Sequence, residues 1–285
     1  MSLILRSAAP AAAARRRQRG FIMTPFIGGS SSARPFFNAP VFQERSSARA
    51  IVSDSSRSSP LTLLTPIQDP FFANVVLLLH GEGANGGTTF TDSSGSPKTQ
   101  SANSNVTTDT TRSKFGTSSI KSATTTAHLD YASSTDFQFD GDFTYEGFFW
   151  VTSLAATGAF YLTDLFATGR MAIGTNGTVS FVRNSGVNPQ SAASVIVTGQ
   201  WQFIAFSYQS ASHTSRIYVD GTLVATDLLH TTTAYGAAEP FSVIGEPANT
   251  TTSLVGNVCE VRITKGIARY TGSSMTVPIA AFPNS

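Results

Sequence analysis

Two hairpin signals restrict the architecture open to most of this chain. Ala172-Ile173-Gly174-Thr175 and Thr178-Val179-Ser180-Phe181-Val182 flank Asn176-Gly177. Arg216-Ile217-Tyr218-Val219 and Thr222-Leu223-Val224-Ala225 flank Asp220-Gly221. Asn-Gly and Asp-Gly suit the two positive-φ positions of a type I′ turn, whose twist matches that of paired antiparallel strands, so type I′ hairpins are expected at both places. From Phe72 onward short apolar runs are separated by Gly, Asn, Ser and Thr, and no 3.6-residue pattern lasts three turns. Further strands are expected at Val75–His80, His128–Tyr131, Phe143–Val151, Trp201–Tyr208, Phe241–Ile244 and Asn257–Thr264. Roughly a dozen strands at this spacing predict an all-β chain of two packed antiparallel sheets.

Residues 1–70 read differently. Prolines at 25, 35, 40, 60, 66 and 70 and the run Gly28-Gly29-Ser30-Ser31-Ser32 forbid a helix of normal length or a central strand. Through Asp69 the chain carries nine Arg, no Lys and three acids, a balance of +6. From Pro70 onward it carries four Lys, six Arg and fourteen acids, a balance of −4. A basic, extended N-terminal arm therefore precedes an acidic body. Short apolar knots recur along it, and their exposure would invite aggregation unless a partner covers them. The candidate anchor residues are Arg15, Arg16, Arg17 and Arg19 with Phe21, Phe26, Phe36, Phe37 and Phe42.

Other readings of the arm are weaker. A secretory signal places its positive charge before the apolar stretch, not after it. Residues 1–43 contain no acid, as in an organellar transit peptide. Four clustered arginines can contact nucleic-acid phosphates, but an anchoring or solvated patch is the simpler account. The longest uncharged apolar run, Val75–Leu79, is five residues against the ~18 a spanning helix needs, so no membrane span is expected.

Phe143-Thr144-Tyr145-Glu146-Gly147-Phe148-Phe149-Trp150-Val151 alternates at first and then becomes continuously aromatic. That marks a central core strand, with sugar stacking as the competing use of its rings. Catalytic signals are sparse. Glycoside hydrolysis needs two carboxylates at a fixed separation, and no alternating run of acids occurs in residues 71–285. Asp136, Asp140 and Asp142 fall in a turn and are read as solvated or capping. There is no Gly-x-Ser-x-Gly elbow. Gly81-Glu82-Gly83-Ala84-Asn85-Gly86-Gly87 lacks the Lys-Ser/Thr of a phosphate loop. His80 and His128, at strand ends, are read as structural. One cysteine, Cys259, excludes an internal disulfide and is read as a buried thiol. No enzyme and no cofactor are expected.

Several segments in order resemble a known family. They are Asn74–His80, Phe90–Gly95, Lys114-Phe115-Gly116, Gly141–Glu146, Trp201–Ala205, Tyr218–Gly221 and Glu260–Thr271, closing on Pro278 and Phe282-Pro283. The succession resembles a laminin-G-like, concanavalin A-like lectin/glucanase domain over residues 74–283, and its last part resembles the version found in tailed-bacteriophage virion proteins. The resemblance implies a jelly-roll sandwich acting as a binding or structural module. Some relatives hold calcium. Where relatives read Ile-Asp-Glu-Val-Arg, this chain reads Val258-Cys259-Glu260-Val261-Arg262, so a usual acid is a thiol and no specific calcium motif remains.

The expected function follows from arm and body together. It is a non-enzymatic structural protein of a phage virion, located in the particle, whose arm (1–70) binds other virion proteins while the sandwich (71–285) decorates capsid or tail. Multiple copies in a symmetric assembly would multiply the arm's contacts. The second reading is a receptor-binding tail protein whose sandwich loops recognise host-surface glycan. The third is a cellular lectin-like protein with a cleaved transit peptide.

Overall fold

The computed structural model describes residues 68–164, 169–182, 189–228, 239–245 and 253–285. They belong to the second of two units of the chain, Leu63–Ser285. The nine anchor candidates between Arg15 and Phe42 lie outside the described residues.

The described strands are, in chain order, β1 (Val75–Leu79), β2 (Gln100–Ser104), β3 (Val106–Asp109), β4 (Ser119–Ser122), β5 (His128–Ser134), β6 (Phe143–Val151) and β7 (Ala159–Asp164). They continue as β8 (Arg170–Gly174), β9 (Val179–Val182), β10 (Trp201–Gln209), β11 (Thr214–Val219), β12 (Thr222–Asp227), β13 (Glu239–Ile244) and β14 (Gly256–Lys265). One sheet has eight strands in the order β12-β11-β10-β6-β14-β4-β3, with β1 on β14; the other runs β2-β5-β13-β7-β8-β9. Every strand pair in both is antiparallel. The two-sheet sandwich expected from the hairpin pattern is what the chain forms.

The expected strands appear with ends shifted by a few residues. β2, β3, β4 and β7 were not anticipated. Gln100–Ser104 contains one alanine among polar residues, and Ser119–Ser122 a single apolar side chain, so neither shows the alternation that betrays a strand. Pairing with β5 and β14 defines them instead.

The two hairpin turns differ in kind. Asp220 (φ 48°) and Gly221 (φ 83°) both take positive φ, as type I′ requires. At the other hairpin only Gly177 (φ 74°) does. Gly177 N–H donates to the Gly174 carbonyl at 3.0 Å and Gly174 N–H to the Thr178 carbonyl at 2.9 Å. That is a type I turn closed by a left-handed glycine in a G1 bulge. The expected type I′ geometry at Asn176-Gly177 is therefore corrected, and the ordinary backbone of Asn176 is the reason.

β6 is the central strand foreseen, flanked along its length by β10 and β14. Its alternation fades because both faces are covered. Phe143, Tyr145 and Phe149 point into the core between the sheets, which includes Phe181 and Phe206. Phe148 points the other way, into a second apolar cluster with Val75, Leu78, Phe203, Tyr218, Cys259 and Phe282. The outward cluster is roofed by Phe72, Phe115, Tyr270, Met275 and Val277, so the C-terminal segment serves as a lid on the eight-stranded sheet.

Candidate functional site

The outward face of β6 carries a carboxylate, Glu146, with no exposed surface. A buried charge in an aromatic strand needs a partner, and β14 supplies it. Register on β14 shifts between Cys259 and Arg262, so Glu260 and Val261 together face Gly147. Glu260 adopts φ 52°, the left-handed backbone of this bulge. The shift keeps Val261 and Ile263 in the inter-sheet core and turns Arg262 outward, directly opposite Glu146. Arg262 Nε and Nη2 each lie 2.8 Å from Glu146 Oε1.

Around this pair the two ends of the sandwich close. Asp69 Oδ2 accepts from Arg262 Nη1 at 2.8 Å and from Arg269 Nη2 at 2.7 Å, while Asp69 Oδ1 accepts from Arg269 Nη1 at 2.9 Å. Tyr270 donates its hydroxyl to Glu146 Oε2 at 2.5 Å. Asp69 N–H donates to the Ser285 carbonyl at 2.8 Å, and the Phe282 ring lies 3.7 Å from the Arg262 guanidinium carbon. Asp69, inside the stretch read as arm, is thus bound into the sandwich. Burial alone would raise its carboxyl pKa. Hydrogen bonds from Arg269 and Phe71 N–H and the charges of Arg262 and Arg269 outweigh that and hold it below the usual range. Burial and the Glu146 charge push the Tyr270 hydroxyl upward, so it stays a neutral donor.

Above the network lies an open pocket of about 560 Å³ between Gln68–Pro70 and Pro278–Pro283, with Arg262 and Arg269 at its base. Two arginines and two carboxylates neutralise one another there. Both carboxylates spend their oxygens on the arginines and Tyr270, and Asp69 is held ionised by its two guanidinium partners.

A second clasp holds the same tail. Glu260, turned by the bulge, accepts from Phe282 N–H at 2.8 Å and faces His80 Nδ1 at 2.9 Å, while His80 Nε2 lies 2.7 Å from Asn284 Oδ1. The Glu260 hydrogen bond raises the His80 pKa; burial opposes it, and the charges of Glu260 and Glu82 and the Asn284 contact add to the rise. A raised folded-state pKa stabilises the fold fully below the unfolded value of 6.5 and loses that contribution as pH climbs through the folded value. The melting temperature should therefore fall as pH rises from about 6 to 9, and His80→Gln should flatten that slope. A slope unchanged by His80→Gln would show that another group carries it.

The remaining sequence candidates are structural. Asp142 Oδ1 accepts from Ser210 N–H at 2.8 Å and from its hydroxyl at 2.5 Å, and Asp136 pairs with Lys98 at 2.9 Å. Asp142 fills the capping role expected of it and Asp140 is exposed, whereas Asp136 is instead half-buried in an ion pair. His128 opens β5 against Asp130 at 2.8 Å. Cys259 is buried opposite Phe148, and burial pushes its thiol up to about 12. Among the described residues no three His, Cys, Asp or Glu side chains gather to hold a metal ion. An open pocket of about 290 Å³ on the rim is lined by Thr88, Gln100, Asn103, Asn105, Val106 and Thr107, without an aromatic ring.

Sequence reasoning missed the Asp69–Arg262–Glu146–Arg269 network. Its signal was present: Glu146 is the one charge in aromatic β6, and Arg262 sits between Val261 and Ile263 on β14.

Two antiparallel sheets, one roofed by its own C-terminal segment, define a lectin-like jelly-roll module. Residues 121–267, just over half of the chain, match the concanavalin A-like lectin/glucanases superfamily, and the chain belongs to that superfamily. No curated protein sequence matches it. Similar solved structures include the binding domain of botulinum neurotoxin serotype C1, at 15% identity and TM-score 0.51, covering 69% of this chain and 50% of that one. Another is botulinum neurotoxin type C, whose cell entry is described as dependent on two ganglioside molecules, at 12% identity and TM-score 0.53, covering 71% and 50%. The sialidase of Trypanosoma rangeli matches at 12% identity and TM-score 0.50, covering 70% and 32%. The chain thus spans about half the length of those two neurotoxin chains and about a third of the sialidase. Identities this low establish the shared fold.

Proposed function

We propose that this chain is a non-enzymatic structural module of a phage virion, in which residues 1–70 bind other virion proteins and the sandwich is displayed outward as a decoration of capsid or tail. The observation that carries the reading is the clamp on Asp69. Where the basic segment joins the sandwich, one carboxylate is held by two arginines from β14 and the segment after it, and Arg262 is tied on to the central strand through Glu146. A join of this kind transmits load from an anchor into the middle of the sheet. The tail-borne phage resemblance of residues 260–271 supplies the virion setting, and the acidic body with its basic leading segment fits an anchor on an acidic partner.

The test is binding to particles lacking the protein. The truncation must stop at Ile67, because removing Asp69 would break the clamp. Full-length chain is expected to saturate at a fixed stoichiometry, while the chain lacking residues 1–67 melts like the full-length protein and fails to bind. Equal binding by the truncated chain would overturn the anchor.

The second reading is glycan recognition on a virion or cell surface. It is supported by membership of a lectin superfamily and by neighbours described as binding domains or as ganglioside-dependent. A loop cleft with an accessible ring, which the adhesion reading expects, is not what the rim pocket offers. Exposed rings lie elsewhere.

A further inference from the structure

The roof over the eight-stranded sheet stops one row short of its end. Cross-strand register sets Trp201, Trp150, Asn257, Lys121 and Thr107 side by side on β10, β6, β14, β4 and β3. Period-two alternation puts them on the same outward face as Phe203, Phe148 and Cys259. That neighbouring row is covered, whereas both indoles remain only half-buried. They are the chain's two tryptophans, packed edge to face with ring centroids 6.0 Å apart and planes at 71°. A partly exposed indole on a strand surface, here Trp201, offers an apolar face that matches the C–H face of a pyranose ring.

Charge decides which saccharide suits this row. The Arg112 guanidinium carbon lies 4.4 Å from the Trp150 ring centroid, and Arg112 Nη1 donates to Asn257 Oδ1 at 2.8 Å. Asn257 Nδ2 in turn donates to Asp109 Oδ2 and Ser119 Oγ, each at 3.0 Å, and Ser119 Oγ donates to the Arg112 carbonyl at 2.6 Å. The guanidinium is therefore held in place, with one of its five N–H donors engaged by Asn257. Lys121 is exposed in the same row, and Lys114 Nζ sits 5.2 Å from the Phe148 ring centroid. The acid beside them, Asp109, is buried and accepts from Thr111 and Asn257. Three cations therefore surround the Trp150 end of the row, where Asp109 is committed, while Asp220 near the Trp201 end is taken up by Phe203 N–H and Gln202 Nε2.

We propose that this row binds an acidic saccharide, a carboxylated sugar whose apolar ring face lies on Trp201 and whose carboxylate meets Lys121 and Arg112, the latter held over the Trp150 ring. The proposal rests on the glycan reading above and gives it a surface and a charge class.

Because both tryptophans lie in this row, the intrinsic fluorescence of the full-length chain reports on it alone. Trigalacturonic acid should produce a saturable change in emission, and the methyl ester of the same sugar, which masks the carboxylates, should not. Lys121→Glu, at an exposed position, should keep the melting temperature and weaken Kd about 10-fold. An equal response to acid and ester, or a response untouched by Lys121→Glu, overturns the proposal. If emission stays constant while calorimetry detects trigalacturonic acid or a neutral glycan on the chain, the site is wrong and glycan recognition survives elsewhere. Silence by both methods overturns the site and the glycan reading together.

Discussion

Glu146→Leu is expected to destabilise the sandwich by about 3–5 kcal/mol, because it leaves Arg262 and Arg269 buried against the single charge of Asp69. For a body of this size that corresponds to a fall in melting temperature on the order of 10 °C. Tyr270 loses its acceptor at the same time. The cost arises from an orphaned charge rather than from a lost attraction, so removing the opposite partner as well should repair much of it. The double variant Glu146→Leu, Arg262→Met is expected to recover more than half of the loss, with Asp69 and Arg269 still paired. Thermal melts of wild type, both single variants and the double variant complete the cycle. If Glu146→Leu melts within 2 °C of wild type, the network is not what locks the segment to the sheet.

Phe206→Ala is expected to cost a similar 3–5 kcal/mol for a different reason. Phe206 is fully buried on β10, its ring stacked on Phe181 at 4.0 Å and 5.4 Å from Phe143. These rings bridge the two sheets, so truncation leaves a cavity that neither sheet can close without breaking its ladder. Leu228→Ser serves as the control: Leu228 is 66% exposed and the change should stay within about 0.5 kcal/mol. Denaturant unfolding of the two variants separates the cases, and a Phe206→Ala midpoint equal to the control would contradict the core assignment. Unlike Glu146→Leu, no second substitution at a neighbouring charge should rescue Phe206→Ala.

How much of this was legible beforehand differs from element to element. Phe143–Val151 was readable as a central strand because its rings cluster too densely for a one-sided strand, and β10 and β14 do enclose it. Asp220-Gly221 was readable as a type I′ turn because both residues tolerate positive φ and both adopt it. Asn176-Gly177 offered an equivalent turn signal, but the added residue of a G1 bulge absorbs the twist instead. β2 and β4 were invisible because their side chains are mostly Ser, Asn, Gln and Lys, and only pairing to β5 and β14 makes them strands.

The sequence by itself determined the class of fold, the family, and the division between a basic, proline-broken leading segment and an acidic sandwich. Those properties follow from local periodicity, turn chemistry and composition, each of which is written within a few residues. Tertiary structure alone decided which charges meet. Asp69 and Arg269 lie 200 positions apart and Glu146 and Arg262 lie 116 apart, and a one-residue bulge at Glu260 chooses the face on which Arg262 emerges. Because strand side chains alternate, a single added residue reverses every position after it. The composition of β14 holds no trace of that choice; the register opposite Gly147 makes it.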